Sequence, residues 1–199
     1  IGVGMGITGT DVTKNVADMV LADDNFATIV AAVEEGRKIY SNIRKAIQFL
    51  LSSNMSEVIT IFTASMIGFT ILEAPHLLWI NLITDCFPAL ALGVEKAEPN
   101  IMRRQPRNAK SGIFADGMGV DIAYQGVLVT LVTLASYFIG HYMESGAWEI
   151  VDSADGMTMA FLTMSMCEIF HSFNLRSQRK SIFSLKSRNK ILWAAMIGS

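Results

Sequence analysis

All 16 lysines and arginines of this chain lie outside its long apolar stretches, and they fall only on alternate connections between them. A bilayer core about 30 Å thick takes about 20 helical residues to cross, with about 17 to 25 as the working range. Ala46 to Phe69, Leu77 to Val94, Ile122 to Gly140 and Met157 to Phe173 have that length, and a fifth stretch begins at Ile191 and runs to Ser199. Lys14 stands in the leading segment, and Arg37, Lys38, Arg44 and Lys45 precede the first stretch. Lys96, Arg103, Arg104, Arg107 and Lys110 follow the second; Arg176, Arg179, Lys180, Lys186, Arg188 and Lys190 follow the fourth. The other two connections carry acids alone, Glu73 in one and Glu144, Glu149, Asp152 and Asp155 in the other. Basic residues collect in cytoplasmic loops, so residues 1–45 are expected in the cytoplasm and the spans to run out, in, out, in.

Composition agrees. Of 199 residues 51% are hydrophobic and 17% charged, where soluble domains carry about 25% charged residues. A mean hydropathy of +0.39 leaves too little polar surface to clothe such a chain in water. The partner to expect is a lipid bilayer, with the cell membrane as the location. A net charge of −2 argues against nucleic acid. Cys86 and Cys167, both inside apolar runs, exclude a disulfide scaffold and a C-x-x-C site and are read as packing residues. The twelve methionines are read the same way. Ile1 starts within a strand pattern and Ser199 ends within an apolar run, as expected of a piece cut from a longer protein.

The leading segment reads as α/β. Ile1 to Met5 and Met19 to Leu21 are short strands, Thr10 can cap a helix running through about Ala17, and Asn25 can cap a helix from Phe26. That last helix runs toward the first span with only Gly36 as a break. The expected fold is therefore mainly α: a multi-pass transmembrane helical bundle over residues 46–199, preceded over residues 1–45 by the truncated end of an α/β domain. Gly4, Gly6 and Gly9 fit G-x-G-x-x-G, with Asp23 and Asp24 downstream, which suggests a dinucleotide site. The competing reading, a tight strand-to-helix turn, is preferred, because the helix and second strand are very short and the chain then enters the membrane.

An ionisable side chain at the centre of a membrane helix costs about 2.5 to 3.5 kcal/mol on insertion scales, so each needs a reason. Glu57, Asp85 and Glu168 lie at such depths. Asn54 and Glu57 are three residues apart, and Asn81, Thr84 and Asp85 stand at i, i+3 and i+4, so each set is expected on one helix face. Together these six residues offer only oxygen as a ligand atom. Ca²⁺ takes six to eight oxygens in a flexible cage, which suits carboxylate, amide carbonyl and hydroxyl together; Mg²⁺ keeps more of its water. Pro88, three residues past Asp85, takes away the bond to the Thr84 carbonyl and is expected to kink or unwind the helix there. A polar network that merely joins helices is the bland alternative. Three carboxylates with no Lys or Arg in any span repel one another unless protonated or neutralised by a cation, which favours an ion or proton pathway. Asp121 and Tyr124 are placed at the membrane interface.

These motifs resemble those of P-type cation-transporting ATPases of the calcium-pump, sarcoplasmic-reticulum-type branch, over essentially the whole chain. Ala17-Asp18-Met19-Val20-Leu21-Ala22-Asp23-Asp24-Asn25-Phe26, continuing to Glu34-Glu35-Gly36-Arg37, resembles the end of the phosphorylation domain and the helix into the fifth transmembrane segment. Ser53-Asn54-Met55-Ser56-Glu57 resembles the ion-binding stretch of that segment, Trp79-Ile80-Asn81-Leu82-Ile83-Thr84-Asp85 that of the sixth, and Met157-Thr158-Met159-Ala160 with Glu168 that of the eighth. The resemblance implies one calcium site from Asn54, Glu57, Thr84, Asp85 and Glu168, and a second using Asn81 and Asp85 with groups from a fourth segment. Having both Glu57 and Glu168 then favours two Ca²⁺ per cycle. It also implies a D-K-T-G aspartate, a nucleotide domain, an actuator domain and a magnesium-binding loop before Ile1. ATP and Mg²⁺ would then belong to the parent protein, and residues 1–199 alone would be inactive. The alternatives are a carrier or channel for cations or protons that uses no ATP, a P-type pump for Na⁺, Mg²⁺ or Mn²⁺, and a membrane-anchored nucleotide-binding protein.

Overall fold

The computed structural model describes residues 1–108, 111–177 and 189–199. Of the basic residues, Lys110, Arg179, Lys180, Lys186 and Arg188 lie outside that set. The chain divides into two compact units, Ile1–Ser41 with Ala97–Gln105, and Asn42–Lys96 with Pro106–Ser199.

In the first unit β1 (Val3–Met5) and β2 (Met19–Leu21) pair in parallel, Val3 opposite Met19 and Met5 opposite Leu21. The connection is α1 (Asp11–Val16), capped by Thr10, whose hydroxyl accepts from the Thr13 N–H at 3.3 Å. A side chain on Gly6 would put its Cβ 2.6 Å from the Leu21 carbonyl oxygen, and one on Gly9 would lie 2.1 Å from that of Met5. Backbone proximity therefore accounts for both glycines without a bound nucleotide. The helix expected from Phe26 begins two residues later, as α2 at Thr28, and Asn25 forms an Asx turn ahead of it, its side chain accepting from Ala27 N–H at 3.0 Å. Arg37 donates to the carbonyls of Ile101 and Arg104 at 2.9 and 2.8 Å, which ties this part of α2 to the segment 97–105.

Asp24 holds the loop after β1. With φ at 51° it turns its carboxylate to accept from Ile7 N–H at 2.8 Å and from Thr8 N–H and hydroxyl at 2.7 Å. The Ile7 N–H, followed by the Thr8 hydroxyl, holds the Asp24 carboxyl down at about 2, against an ordinary 3.8. A folded value below the unfolded one means that this anchor is complete above about pH 4 and is lost as pH falls through about 2. The Ile7 and Thr8 amide resonances should therefore shift with a midpoint near pH 2, and Asp24→Ala should remove that transition. A midpoint near 4 would contradict the anchor.

The second unit is a helical bundle. α2 (Thr28–Ile67) passes Gly36 without the break expected there, and stops at Gly68, whose φ of 104° suits only glycine. Its buried face is Asn42, Lys45, Gln48, Phe49, Ser52, Ser53, Ser56, Glu57, Thr60 and Ala64, while Leu51, Val58, Phe62 and Met66 are exposed. A helix of a water-soluble protein has these faces the other way round. The second predicted span is not one regular helix: α3 (Ala74–Trp79) leads into a π-helical turn, Ile80–Asp85, and then into α4 (Cys86–Gly93). α5 (Met118–Ser145) and α6 (Ala154–Asn174) contain the third and fourth predicted spans, and α7 (Lys190–Gly198) starts on the cap of Asn189.

Among the described residues Thr28–Ile67, Ala74–Gly93 and Met118–Ser145 are long and apolar enough to cross a membrane. α6 has the length, with 21 residues, but is not one of these; Asp155, Thr158, Thr163, Ser165, Glu168, His171, Ser172 and Asn174 dilute it. The chain is thus a multi-pass, mainly helical membrane protein. α5 and α6 approach closely at glycines, since a Cβ on Gly156 would lie 2.9 Å from the Tyr137 carbonyl oxygen and one on Gly140 3.0 Å from that of Asp155. Tyr137, fully buried against Phe69 and Phe138, accepts from Ser153 N–H at 3.0 Å through its hydroxyl, which donates to the Val151 carbonyl at 3.0 Å.

Candidate functional site

Three separate elements bring the predicted carboxylates into the bundle interior. Glu57 comes from α2, Asp85 from the end of the π-helical turn and Glu168 from α6, and the three are 6%, 1% and 1% exposed. Glu168 is tied to α2 by the Ser53 hydroxyl, and Glu57 to the π-helical turn by the Asn81 amide. Thr84, also at 1%, lies beside Asp85.

The π-helical turn has a local cause. Proline has no N–H, so a proline in a helix interior leaves a carbonyl one turn back without its donor. Here Pro88 falls in α4, which continues directly from the π-helical turn, so the Thr84 carbonyl within that turn has no donor one α-helical turn on. The distortion expected at Pro88 is taken up by the six residues of the turn that ends at Asp85, a wider turn of the kind found at functional positions in helices. Cys86 helps to satisfy the turn, its Sγ donating to the Asn81 carbonyl at 3.2 Å.

The hydrogen bonds separate the predicted residues into two groups. Asn81 donates from Nδ2 to both oxygens of Glu57, at 2.8 and 2.9 Å, and to the Leu77 carbonyl at 3.0 Å. Ser53, buried on α2, donates to Glu168 Oε1 at 2.6 Å. Thr84 Oγ1, both carboxylate oxygens of Asp85 and Glu168 Oε2 are buried and have no hydrogen-bond partner among the described residues. An unsatisfied buried acceptor costs about 1 to 3 kcal/mol, and more when charged. Four such atoms on three residues of the bundle interior call for protons or a cation.

Asn54 does not join them. It is exposed, and its amide donates to the Leu50 carbonyl one turn back at 2.8 Å. Nor do the carboxylates close into a cage: among the described residues no three His, Cys, Asp or Glu side chains are gathered closely enough to hold a metal ion. Both Glu57 oxygens are taken by Asn81, so the partnerless oxygens belong to Thr84, Asp85 and Glu168. Asp121 and Tyr124, assigned to the interface by sequence, line a cavity of about 530 Å³ with Gln48, Gln125, Cys167 and His171.

Ser53, bonded to Glu168, is the candidate site residue that the carboxylate pattern alone does not reveal. Its signal is the spacing 53, 56, 57, 60, the same stripe of α2 that carries Glu57. A second group, further along the bundle, is formed by residues that the sequence places only as loop charges. Lys45 and Arg176 are both buried, and Arg176 forms a two-pronged ion pair with buried Glu95, Nε to Oε2 at 3.1 Å and an Nη to Oε1 at 3.0 Å.

Residues 69–199 match a family model described as "Cation transporting ATPase, C-terminus". The chain is similar to Calcium-transporting ATPase 1 of Bacillus cereus, 47% identical over 93% of this chain and 22% of that protein. It is 40% identical to the Calcium-transporting ATPase of Bacillus subtilis over 100% of this chain and 22% of that one. With the human Calcium-transporting ATPase type 2C member 1 it shares 36% identity over 100% of this chain and 21% of that protein. The chain therefore spans about a fifth of the length of these relatives.

Proposed function

The chain belongs to the cation-transporting ATPase family, whose C-terminal region it matches, and on that premise we propose that it is the ion-translocating part of an ATP-driven Ca²⁺ pump. The observation that carries the choice of site is the group of buried oxygens without donors on Thr84, Asp85 and Glu168. The Bacillus and human relatives are called calcium-transporting, and hard oxygen donors of mixed kind suit Ca²⁺.

In this reading Asp85 and Glu168 supply the charge that offsets the cation. Thr84 adds a neutral oxygen, and Ser53 orients Glu168 through its hydrogen bond. Glu57 and Asn81 join when their mutual hydrogen bonds open, and Asn54 joins by a turn of its side chain away from Leu50. When Ca²⁺ leaves, the carboxylates take up protons in its place, because like charges so close together are not stable in a dry interior. Residues 1–45 are the end of the cytoplasmic phosphorylation domain and the helix leading from it. ATP and Mg²⁺ act on the rest of the parent protein, and the cell membrane is its location.

The test is phosphorylation of the full-length protein by ATP. It should form a phosphoenzyme that requires Ca²⁺ at micromolar levels and is absent with a chelator. A full-length protein that transports Ca²⁺ with no phosphoenzyme would overturn the pump in favour of a carrier, and one driven by another cation would overturn the choice of ion.

A further inference from the structure

The three elements that carry the carboxylates are joined a second time, at some distance from them, by one buried polar network. Arg176, just past the end of α6, grips Glu95, just past the end of α4, with both prongs of its guanidinium. Lys45 of α2 donates to the Arg176 carbonyl at 2.7 Å, and Asn42 of α2 donates to the Glu95 carbonyl at 2.7 Å and to that of Gly93 at 3.2 Å. Asn189, the cap of α7, donates to Glu95 Oε2 at 2.7 Å and to the Ala91 carbonyl at 2.9 Å. All five side chains are buried, none more than 9% exposed.

We propose that Glu95 and Arg176, with Lys45 and Asn42, are positioning residues for the cation site: they fix α2, α4 and α6 against one another so that Glu57, Asp85 and Glu168 face the same ion. The proposal rests on the reading of those carboxylates as the cation site. Its first support is the choice of chemistry. A buried ion pair is often no more stabilising than well-packed apolar residues of the same volume, so its value lies in direction rather than strength. A forked guanidinium–carboxylate pair fixes both distance and orientation.

The second support is the position of each contact. Along an α-helix at about 1.5 Å per residue, Lys45 lies about 18 Å from Glu57, and the end of α6 lies about 9 Å from Glu168. Regular helix transmits a fixed orientation over such lengths. The third support is the π-helical turn ahead of α4. A turn with an extra residue does not set the rotation of the next helix as regular α-helix does, so α4 needs an anchor at its far end to hold Asp85 in phase. Glu95 supplies it.

Equilibrium binding of radioactive Ca²⁺ to the purified full-length protein tests this, since it yields the number of sites and the Kd separately. Arg176→Gln and Glu95→Gln should each raise the Kd about tenfold with the number of sites retained, and the double variant should raise it no more than either alone. Arg176→Lys should not restore it, because an ammonium lacks the fork. Single variants with the wild-type Kd overturn the proposal. Should a single variant lose binding altogether through misfolding, Glu95→Gln with Arg176→Met leaves neither charge orphaned and decides the matter: a raised Kd supports positioning, and the wild-type Kd refutes it. Failure of the wild-type protein to bind Ca²⁺ would instead sink the site reading itself.

Discussion

Asp85→Asn is expected to weaken Ca²⁺ binding by the full-length protein at least about a hundredfold and, in the absence of Ca²⁺, to raise its melting temperature. The two effects have one origin. Both oxygens of the Asp85 carboxylate are buried without a donor, so the folded protein without a cation carries an acid that water would solvate far better. An uncharged amide of the same shape lowers that cost. It also removes the charge that would offset a divalent ion, and a hundredfold loss corresponds to about 2.8 kcal/mol, a modest figure for a charged ligand in a dry site. Thermal unfolding in detergent and equilibrium Ca²⁺ binding measure the two halves independently. A variant that melts lower than wild type while binding Ca²⁺ normally would show Asp85 to be a structural residue. Activity that falls as stability rises is the behaviour of a residue kept for function.

Gly156→Leu should be the most damaging single change in the bundle away from the carboxylates. The first turn of α6 lies so near α5 that even a methyl at position 156 would come within 2.9 Å of the Tyr137 carbonyl oxygen and 3.2 Å of Ser153. Backbone does not yield as a side chain does, so α6 must move away, at a cost in the upper part of the 1 to 3 kcal/mol range for overpacking, about 3 kcal/mol. The displaced helix carries Glu168, and Ser53 would lose the partner it holds at 2.6 Å. The expected result is poor recovery of monodisperse protein and, in what is recovered, loss of Ca²⁺ binding. Gly156→Ala meets the same oxygen and should show a weaker form of both effects. Wild-type recovery and binding for the leucine variant would mean that the α5–α6 contact is looser than these distances require.

Much of this was legible in the sequence, for identifiable reasons. Charge sorting and apolar length are long-range, low-resolution properties, and they located the helices to within a few residues at most ends. The i, i+3 and i+4 rule placed Thr84 and Asp85 together in the interior, but it failed for Asn54. Residues three apart on a helix differ by about 60° in direction, and the buried stripe of α2 is centred on Ser53, Ser56 and Thr60, which leaves Asn54 over its edge. The π-helical turn was legible only as a disturbance near Pro88, because a proline shows where a bond is missing and not how the chain redistributes the defect. The Arg176–Glu95 pair spans 81 residues. Nothing local marks either member, and both read as ordinary charges at the ends of membrane helices until the fold brings them together.

The inverted faces of α2 change which substitutions this protein can absorb. In a water-soluble helix, trimming a leucine to alanine is costly and altering a serine is cheap. Here Leu51, Val58, Phe62 and Met66 are exposed, where one aliphatic side chain serves nearly as well as another against lipid. Ser52, Ser53 and Ser56 are instead buried, and their hydroxyls donate to the Phe49 carbonyl, Glu168 Oε1 and the Ser53 carbonyl respectively. Tolerance and intolerance therefore trade places along this helix. Its outward positions are free to drift among apolar residues, and variation that would pass unnoticed on the surface of a soluble protein is confined by the small hydroxyls within.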